Sequence, residues 1–208
     1  MSRSATFSER VAGSRLHRSA VVAATVAVAL LASAGSATAQ VRLTREEALE
    51  LAFPGPARIE RHTAYLDAAQ LDRIEQRVDG ADGNAVVTYY VGRSEAGAIG
   101  VAYFDVHRVR TMPEVLMIVI DPAGRVDRVE ILRFAEPHEY MAPAGWLARF
   151  DGRSLAGDLE QGDAVIGITG ATLTSRAVTG AVRRTLALHE LLDPLAATEA
   201  AAGAPEAP

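Results

Sequence analysis

Hydrophobic and polar residues alternate with the period of β-strands in the middle of the chain. Four segments rich in Val, Ile, Tyr and Phe are separated by short turn-forming stretches, and they cover residues 85–91, 98–106, 114–120 and 126–134. Because short turns join them without long crossovers, the pattern predicts an antiparallel meander. The third segment is apolar throughout and is predicted to be a central strand, whereas the fourth alternates and is predicted to have one covered face.

The spacing of apolar residues changes to that of helices on both sides of this predicted sheet. Residues 41–80 are predicted to form two short helices, of which Thr44 begins the first with a capping box and Asp67 begins the second. After residue 172 the apolar positions recur every three or four residues, with the arginines off that stripe: Val178, Ala181, Val182, Thr185 and Leu186. A meander with packed helices predicts an α+β fold.

The two ends of the chain are predicted to lie outside the folded domain. Residues 1–39 have the features of an export signal: a basic front, an apolar run from Ala20 to Ala32, and small residues before Gln40. The run is shorter than the roughly 20 residues of a spanning helix, which favours cleavage over retention as an anchor. Residues 193–208 contain mainly Ala, Pro, Glu and Gly and are predicted to be disordered.

Composition excludes several kinds of chemistry. The formal net charge is −5, and because residues 1–39 contain four Arg and one Glu, their removal would leave −8, which disfavours a nucleic-acid partner. All 21 basic residues are Arg, so neither a lysine Schiff base nor a Walker-type loop is possible, and without Cys there is no disulfide, thiolate metal site or c-type haem attachment. Residues 79–84 carry spaced acids but lack the closing Glu of a calcium loop, so no metal site is predicted.

A hydroxyl-rich turn stands where the C-terminal helix is predicted to begin. Gly170 and Ala171 allow another group to approach the backbone closely, while Thr172, Thr174 and Ser175 supply hydroxyls beside unpaired backbone N–H groups. The helix dipole would favour an anion there by roughly 0.3–1 kcal/mol. These residues alone are compatible with a phosphate site, but their spacing favours the commoner alternative, a helix cap that has no further role.

A family resemblance bears on this choice. The heptapeptide resembles the (Ser/Thr)-Gly-Ala-Thr-x-(Thr/Ser) flavinylation motif of the FMN-binding domain family, which includes the flavin-bearing periplasmic subunits of the Rnf and Nqr complexes; it reads Thr169-Gly170-Ala171-Thr172-Leu173-Thr174-Ser175. The resemblance covers about residues 85–190, and Asp163 resembles the aspartate that often precedes the motif. It implies that FMN is joined through a phosphoester to Thr174, with the other motif residues around it.

The loop before the motif is a second candidate part of the site. Glu136, His138, Tyr140 and Trp146 are groups that can border a flavin ring by hydrogen bonding or stacking. Related subunits resemble Glu-Thr-x-Gly here, and this chain keeps the glutamate as Glu136 but not the glycine-bearing turn. The alternative is that Tyr140 and Trp146 only pack the loop onto the core.

The resemblance implies an exported, periplasmic electron carrier rather than an enzyme with its own substrate. Its partners would be a flavin transferase for maturation and unidentified redox donor and acceptor proteins, with a membrane complex possible. The predicted organisation is a signal peptide over 1–39, a helical segment over 40–84, an FMN-binding domain over 85–192 and a tail over 193–208. The alternatives are a flavin-dependent periplasmic reductase and a non-redox anion-binding module.

Overall fold

Strands rich in β-branched residues and joined by short turns form an antiparallel sheet in the computed structural model. The structure describes residues 40–55, 57–78, 84–159 and 167–202. The predicted signal peptide, Asp163 and most of the acidic stretch 79–84 lie outside these ranges. The sheet has six strands in the order β1-β6-β5-β4-β3-β2, and they are β1 (Gln40–Val41), β2 (Arg58–Tyr65), β3 (Val86–Ser94), β4 (Gly97–Arg108), β5 (Pro113–Ile120) and β6 (Val126–Phe134). The helices are α1 (Arg45–Ala52), α2 (Ala68–Arg77), α3 (Ala144–Leu147), α4 (Thr172–Leu192) and α5 (Pro194–Ala202).

The predicted meander is confirmed in β3 to β6, and all neighbouring strands pair antiparallel. β5 lies between β4 and β6, and its residues 116–120 are buried, as its unbroken apolar sequence indicates. The turn into β6 is stabilised locally, because the Asp121 carboxylate accepts hydrogen bonds from the backbone N–H groups of Ala123 and Arg125.

The prediction for residues 41–80 was incomplete. Both helices are present with capping boxes, Thr44 pairing with Glu47 and Asp67 with Gln70. Between them, however, lies β2, which pairs with β3 along its whole length and forms an edge of the sheet. Its side chains alternate between partly buried and exposed, so the strand lacks the strong apolar face that sequence patterns reveal. β1 and β2 belong to the same sheet as β3 to β6, so the described residues before β3 do not form a separate helical segment.

The two faces of the sheet are covered by different helices. α1 covers the face with the smaller apolar cluster. The Phe53 ring lies there so close to Gly92 that a Cβ on residue 92 would be 2.3 Å from the ring. α2, α3 and α4 cover the larger face, and the predicted apolar stripe of α4 is buried there, from Val178 to Leu186. The α+β fold predicted from the sequence is confirmed.

The prediction of a disordered tail was wrong for residues 194–202, which form α5. Asp193 adopts a left-handed conformation that ends α4, and the chain then turns into the new helix. Thr198 is buried and accepts a hydrogen bond from the Arg93 guanidinium of β3 at 2.5 Å. An alanine-rich sequence has high helix propensity but little apolar contrast, and here Leu195 also packs against the core beside the Arg93 contact. Within the described ranges, no helix is long and apolar enough to cross a membrane.

Candidate functional site

The motif turn brings the chain into α4 without a side-chain cap. Gly170 has φ of 82°, a conformation that favours glycine, and the next residue, Ala171, donates a backbone hydrogen bond to Ile168. Ala171 is the N-cap residue, and no side chain caps the first turn. Thr172, one of the three hydroxyl residues named from the sequence, is already the first helical residue, and its side chain is exposed. The side-chain hydroxyls of the motif therefore accept no capping hydrogen bond from the backbone N–H groups in the first turn of α4.

The hydroxyl of Thr174 is turned inward. The residue is only 1% exposed, and its Oγ1 donates a 2.6 Å hydrogen bond to the backbone carbonyl of Tyr140. Ser175 is also buried, and its hydroxyl donates to the Thr172 carbonyl at 2.9 Å. Thr169 and Gly170 are exposed. The structure thus joins the motif to the 136–146 loop through one buried hydrogen bond, a contact between residues 34 positions apart.

Two of the loop side chains have structural partners. Glu136 accepts hydrogen bonds from the backbone N–H groups of Thr111 and Met112 at 2.8 and 2.9 Å, and these bonds lower its pKa. It therefore stabilises the β4–β5 turn. Trp146 is 8% exposed and packs edge-on against Phe150, with ring centroids 5.3 Å apart. This placement matches the alternative in which the aromatic side chain packs the loop onto the core.

The other two loop side chains lie nearer the surface. The Tyr140 ring is partly buried, and the Arg110 guanidinium lies over it, 5.3 Å from the centroid. His138 is exposed, and it begins a single 3₁₀ turn that ends at Tyr140. Of the four loop groups named from the sequence, Tyr140 is the one whose backbone contacts the motif.

A groove of about 770 Å³ lies beside the motif, between α2, α4 and the ends of β3 and β4; it is called the α4 groove below. Apolar residues of α2, β3, β4 and α4 line it: Ile74, Val87, Val106, Leu173 and Leu188. Its charged lining consists of Asp105, His107, Arg108, Arg176 and Arg184. Leu173 and Arg176 lie within three residues of Thr174 in the chain, but the Thr174 side chain is buried, faces Tyr140 and is not part of the groove lining.

The α4 groove was missed by sequence reasoning because its walls come from distant segments. One signal was nevertheless present in α4, which carries a second stripe at three- and four-residue spacing: Leu173, Arg176, Ala177, Gly180 and Arg184. This stripe combines small residues with arginines on the side away from the apolar stripe. Such a pattern indicates a helix face that borders a space rather than a packed core.

The dimensions and chemistry of the groove fit FMN. Ligand pockets have volumes of about 300–1,000 Å³ and are mostly apolar with a few polar groups. At Gly180, in the wall, a Cβ would have no atom within 4 Å, so the absent side chain leaves open space next to the helix. Apolar lining suits a flat aromatic ring, and the arginines suit its phosphate.

Comparison with known families defines the class of protein. Residues 112–187 match the family model of the FMN-binding domain, a range that contains the entire motif 169–175, β5, β6 and most of α4. The protein is therefore a flavin-binding protein with FMN as its cofactor. More particularly, this part of the chain belongs to the FMN-binding domain family. No curated protein matches the chain.

Proposed function

We propose that the protein is an exported electron carrier whose FMN is attached to Thr174 by a phosphoester. One observation carries this proposal: Thr174 lies in the first turn of α4, at the last threonine of the motif and inside the matched domain. The helix N-terminus favours a phosphate at this position, and a threonine oxygen is one of the few attachment points open to a chain without Cys or Lys.

Two parts of the site have separate roles in this proposal. Arg176 and the N–H groups of the first turn of α4 would hold the phosphate, since Arg176 is exposed, lines the groove and follows Thr174 by two residues. The α4 groove would hold the ring, which supplies the redox chemistry when it is bound. The protein's contribution is to orient the ring, exclude water from its apolar lining and set the surrounding charge.

A carrier is favoured over an enzyme because a permanently attached cofactor suits a protein that must keep its flavin between partners. One observation favours the second candidate, a flavin-dependent reductase. Arg108 and Arg176 line the groove, and their guanidinium groups could bind an anionic substrate beside the ring. The flavin is first reduced chemically and the excess reductant is removed. Reoxidation of this flavin by a small oxidised substrate, with one two-electron reduction of substrate per flavin, would support the reductase; reoxidation only by protein partners would support the carrier.

The attachment is tested by coexpressing the chain with a flavin transferase. Flavin fluorescence should survive denaturation, and the tryptic peptide that contains Thr174 should gain the mass of FMN less one water. Thr174→Ala should abolish both signals, whereas Thr174→Ser should retain them because it keeps the nucleophilic hydroxyl. Ser175→Ala is the matched control, since it removes a neighbouring buried hydroxyl and should be fully flavinylated. Full fluorescence in Thr174→Ala would place the acceptor elsewhere and refute the assignment.

Export and partners form a separate part of the proposal. We expect a mature N-terminus at Gln40 in the periplasm, maturation by a flavin transferase, and exchange of electrons with donor and acceptor proteins. N-terminal sequencing of the exported protein tests the first point. Recovery of the intact chain in the membrane fraction would instead favour residues 1–39 as an anchor and a membrane complex as the partner.

A further inference from the structure

Four charged side chains on β4, β5 and α4, all outside the motif, form a cluster at one end of the α4 groove. The His107 ring contacts both acids: its Nδ1 lies 2.7 Å from Asp105 and its Nε2 lies 2.9 Å from Glu114. Arg184 of α4 donates to the other Asp105 oxygen at 2.8 Å. Strand register creates the arrangement, because His107 and Glu114 are direct partners across β4 and β5.

The cluster is largely removed from water. Glu114 is completely buried, the His107 side chain is 12% exposed, and Glu114 Oε1 has no hydrogen-bond partner among the described residues. Burial by itself lowers the pKa of His107, but the hydrogen bonds to Asp105 and Glu114 outweigh it and raise the pKa to about 9. With both ring nitrogens donating, His107 is an imidazolium at neutral pH. The cluster then holds two positive and two negative charges.

A purely structural explanation of this cluster is weak. Buried ion pairs cost desolvation energy and can often be replaced by apolar residues without loss of stability. Here the cost is increased by the carboxylate oxygen that no donor satisfies. A functional explanation of the cluster is that its charges act on a ligand in the adjacent α4 groove.

The placement of the positive charges identifies that space. His107, Arg108, Arg176 and Arg184 line the groove, where Asp105 is the one acid in the described lining, whereas Glu114 lies behind it. The groove wall is thus positive on a chain whose formal net charge is −5. A ligand that gains negative charge inside the groove is stabilised by this wall, and one that loses it is not.

We propose that His107, held by Asp105 and Glu114 and joined to Arg184, sets the reduction potential of flavin bound in the α4 groove. This inference rests on the proposed function. Electrons taken up in the groove add negative charge wherever protons do not fully accompany them. A fixed imidazolium offsets that charge and favours the reduced state, so His107 acts as a charge-tuning residue. Asp105 and Glu114 act through it as positioning residues.

The first experiment compares the reduction potentials of the flavinylated parent chain, His107→Gln and Arg184→Gln between pH 6 and 10. Glutamine keeps a hydrogen-bonding side chain and removes the charge. Each variant should have a lower potential at pH 7, by about a tenfold change in the ratio of oxidised to reduced protein, which is 29.6 mV for a two-electron couple. The difference between parent and His107→Gln should disappear as pH rises through about 9, where His107 loses its proton. Arg58→Gln removes the charge of an exposed arginine on β2 that is not in the groove lining; it is the matched control for Arg184→Gln and should leave the potential unchanged.

A second experiment uses the colourless parent chain and needs neither flavin nor a groove variant. The imidazole of His107, followed by nuclear magnetic resonance, should titrate well above 6.5, and Glu114→Gln should lower that midpoint. An ordinary midpoint for His107, or equal potentials in parent, His107→Gln and Arg184→Gln across the pH range, would overturn the inference. These results leave attachment at Thr174 intact, whereas a parent chain that never acquires flavin would overturn the proposed function itself.

Discussion

The buried hydroxyl of Thr174 leads to a prediction about stability before any flavin is attached. Thr174→Val is nearly isosteric, so it leaves packing unchanged and removes the donor to the Tyr140 carbonyl. A net hydrogen bond contributes about 0.5–1.5 kcal/mol, and a buried acceptor left unsatisfied costs about 1–3 kcal/mol. Since Thr174 is 1% exposed, water does not readily replace the hydroxyl, and we expect a loss of about 1–3 kcal/mol in the free energy of unfolding.

Urea unfolding of the colourless chain measures this loss. Thr172→Val is the matched control, because it makes the same chemical change at an exposed position two residues earlier and should stay within about 0.5 kcal/mol of the parent. Thr174→Ser should retain the hydrogen bond and lose only one methyl, or about 0.8 kcal/mol. If Thr174→Val and Thr172→Val are equally stable, the hydroxyl is not held by Tyr140 in solution and the reasoning is refuted.

The proposed attachment of FMN to Thr174 would have a further consequence for the same hydrogen bond. A phosphoester oxygen carries no hydrogen, so flavinylated Thr174 cannot donate to Tyr140, and the bulky phosphate cannot fit where the side chain is almost fully enclosed. The loop around the 3₁₀ turn His138–Tyr140 must therefore move when flavin is attached. Amide hydrogen exchange should become faster in this loop and stay unchanged in β5; equal loop protection before and after attachment would contradict the prediction.

Three other perturbations test the surroundings of the site. The pKa of His107 is raised from 6.5 to about 9, so its protonated form contributes up to about 3 kcal/mol of stability below pH 6.5, and this contribution is lost as the pH rises through 9. In urea unfolding, the difference in stability between the parent and His107→Gln should therefore shrink over that pH range. A constant difference would argue against the prediction. The side chain introduced by Gly180→Leu should project into the α4 groove and alter flavin absorption and fluorescence without reducing attachment. Gly180→Ala should instead stabilise α4 by about 0.5–1 kcal/mol. Unchanged spectra in the leucine variant would show that the ring does not lie in the groove. Trp146→Ala should lower the free energy of unfolding by about 3–5 kcal/mol. Unfolding is measured by circular dichroism, because the variant has no tryptophan left for fluorescence. A near-neutral result would show that Trp146 is not part of the core.

The sequence determined the features that depend on residues close together in the chain. Strand periodicity and short turns identified β3 to β6, and capping boxes at Thr44 and Asp67 identified α1 and α2. The buried stripe of α4 followed from three- and four-residue spacing, and the motif at 169–175 located the start of that helix. Each of these features is produced by local backbone geometry or by one amphipathic face, which a linear pattern records directly.

Tertiary structure decided the features that depend on partners far away in the chain. β2 is a strand because β3 supplies its hydrogen bonds, and α5 is held where Arg93 reaches Thr198. Glu136 is occupied by the β4–β5 turn, and the Thr174 hydroxyl is occupied by the Tyr140 carbonyl. The α4 groove and its charged end likewise exist only where β4, β5 and α4 meet. Polar side chains of the same type can serve a ligand, a turn or one another, and the choice is made by which groups the fold brings within hydrogen-bonding distance.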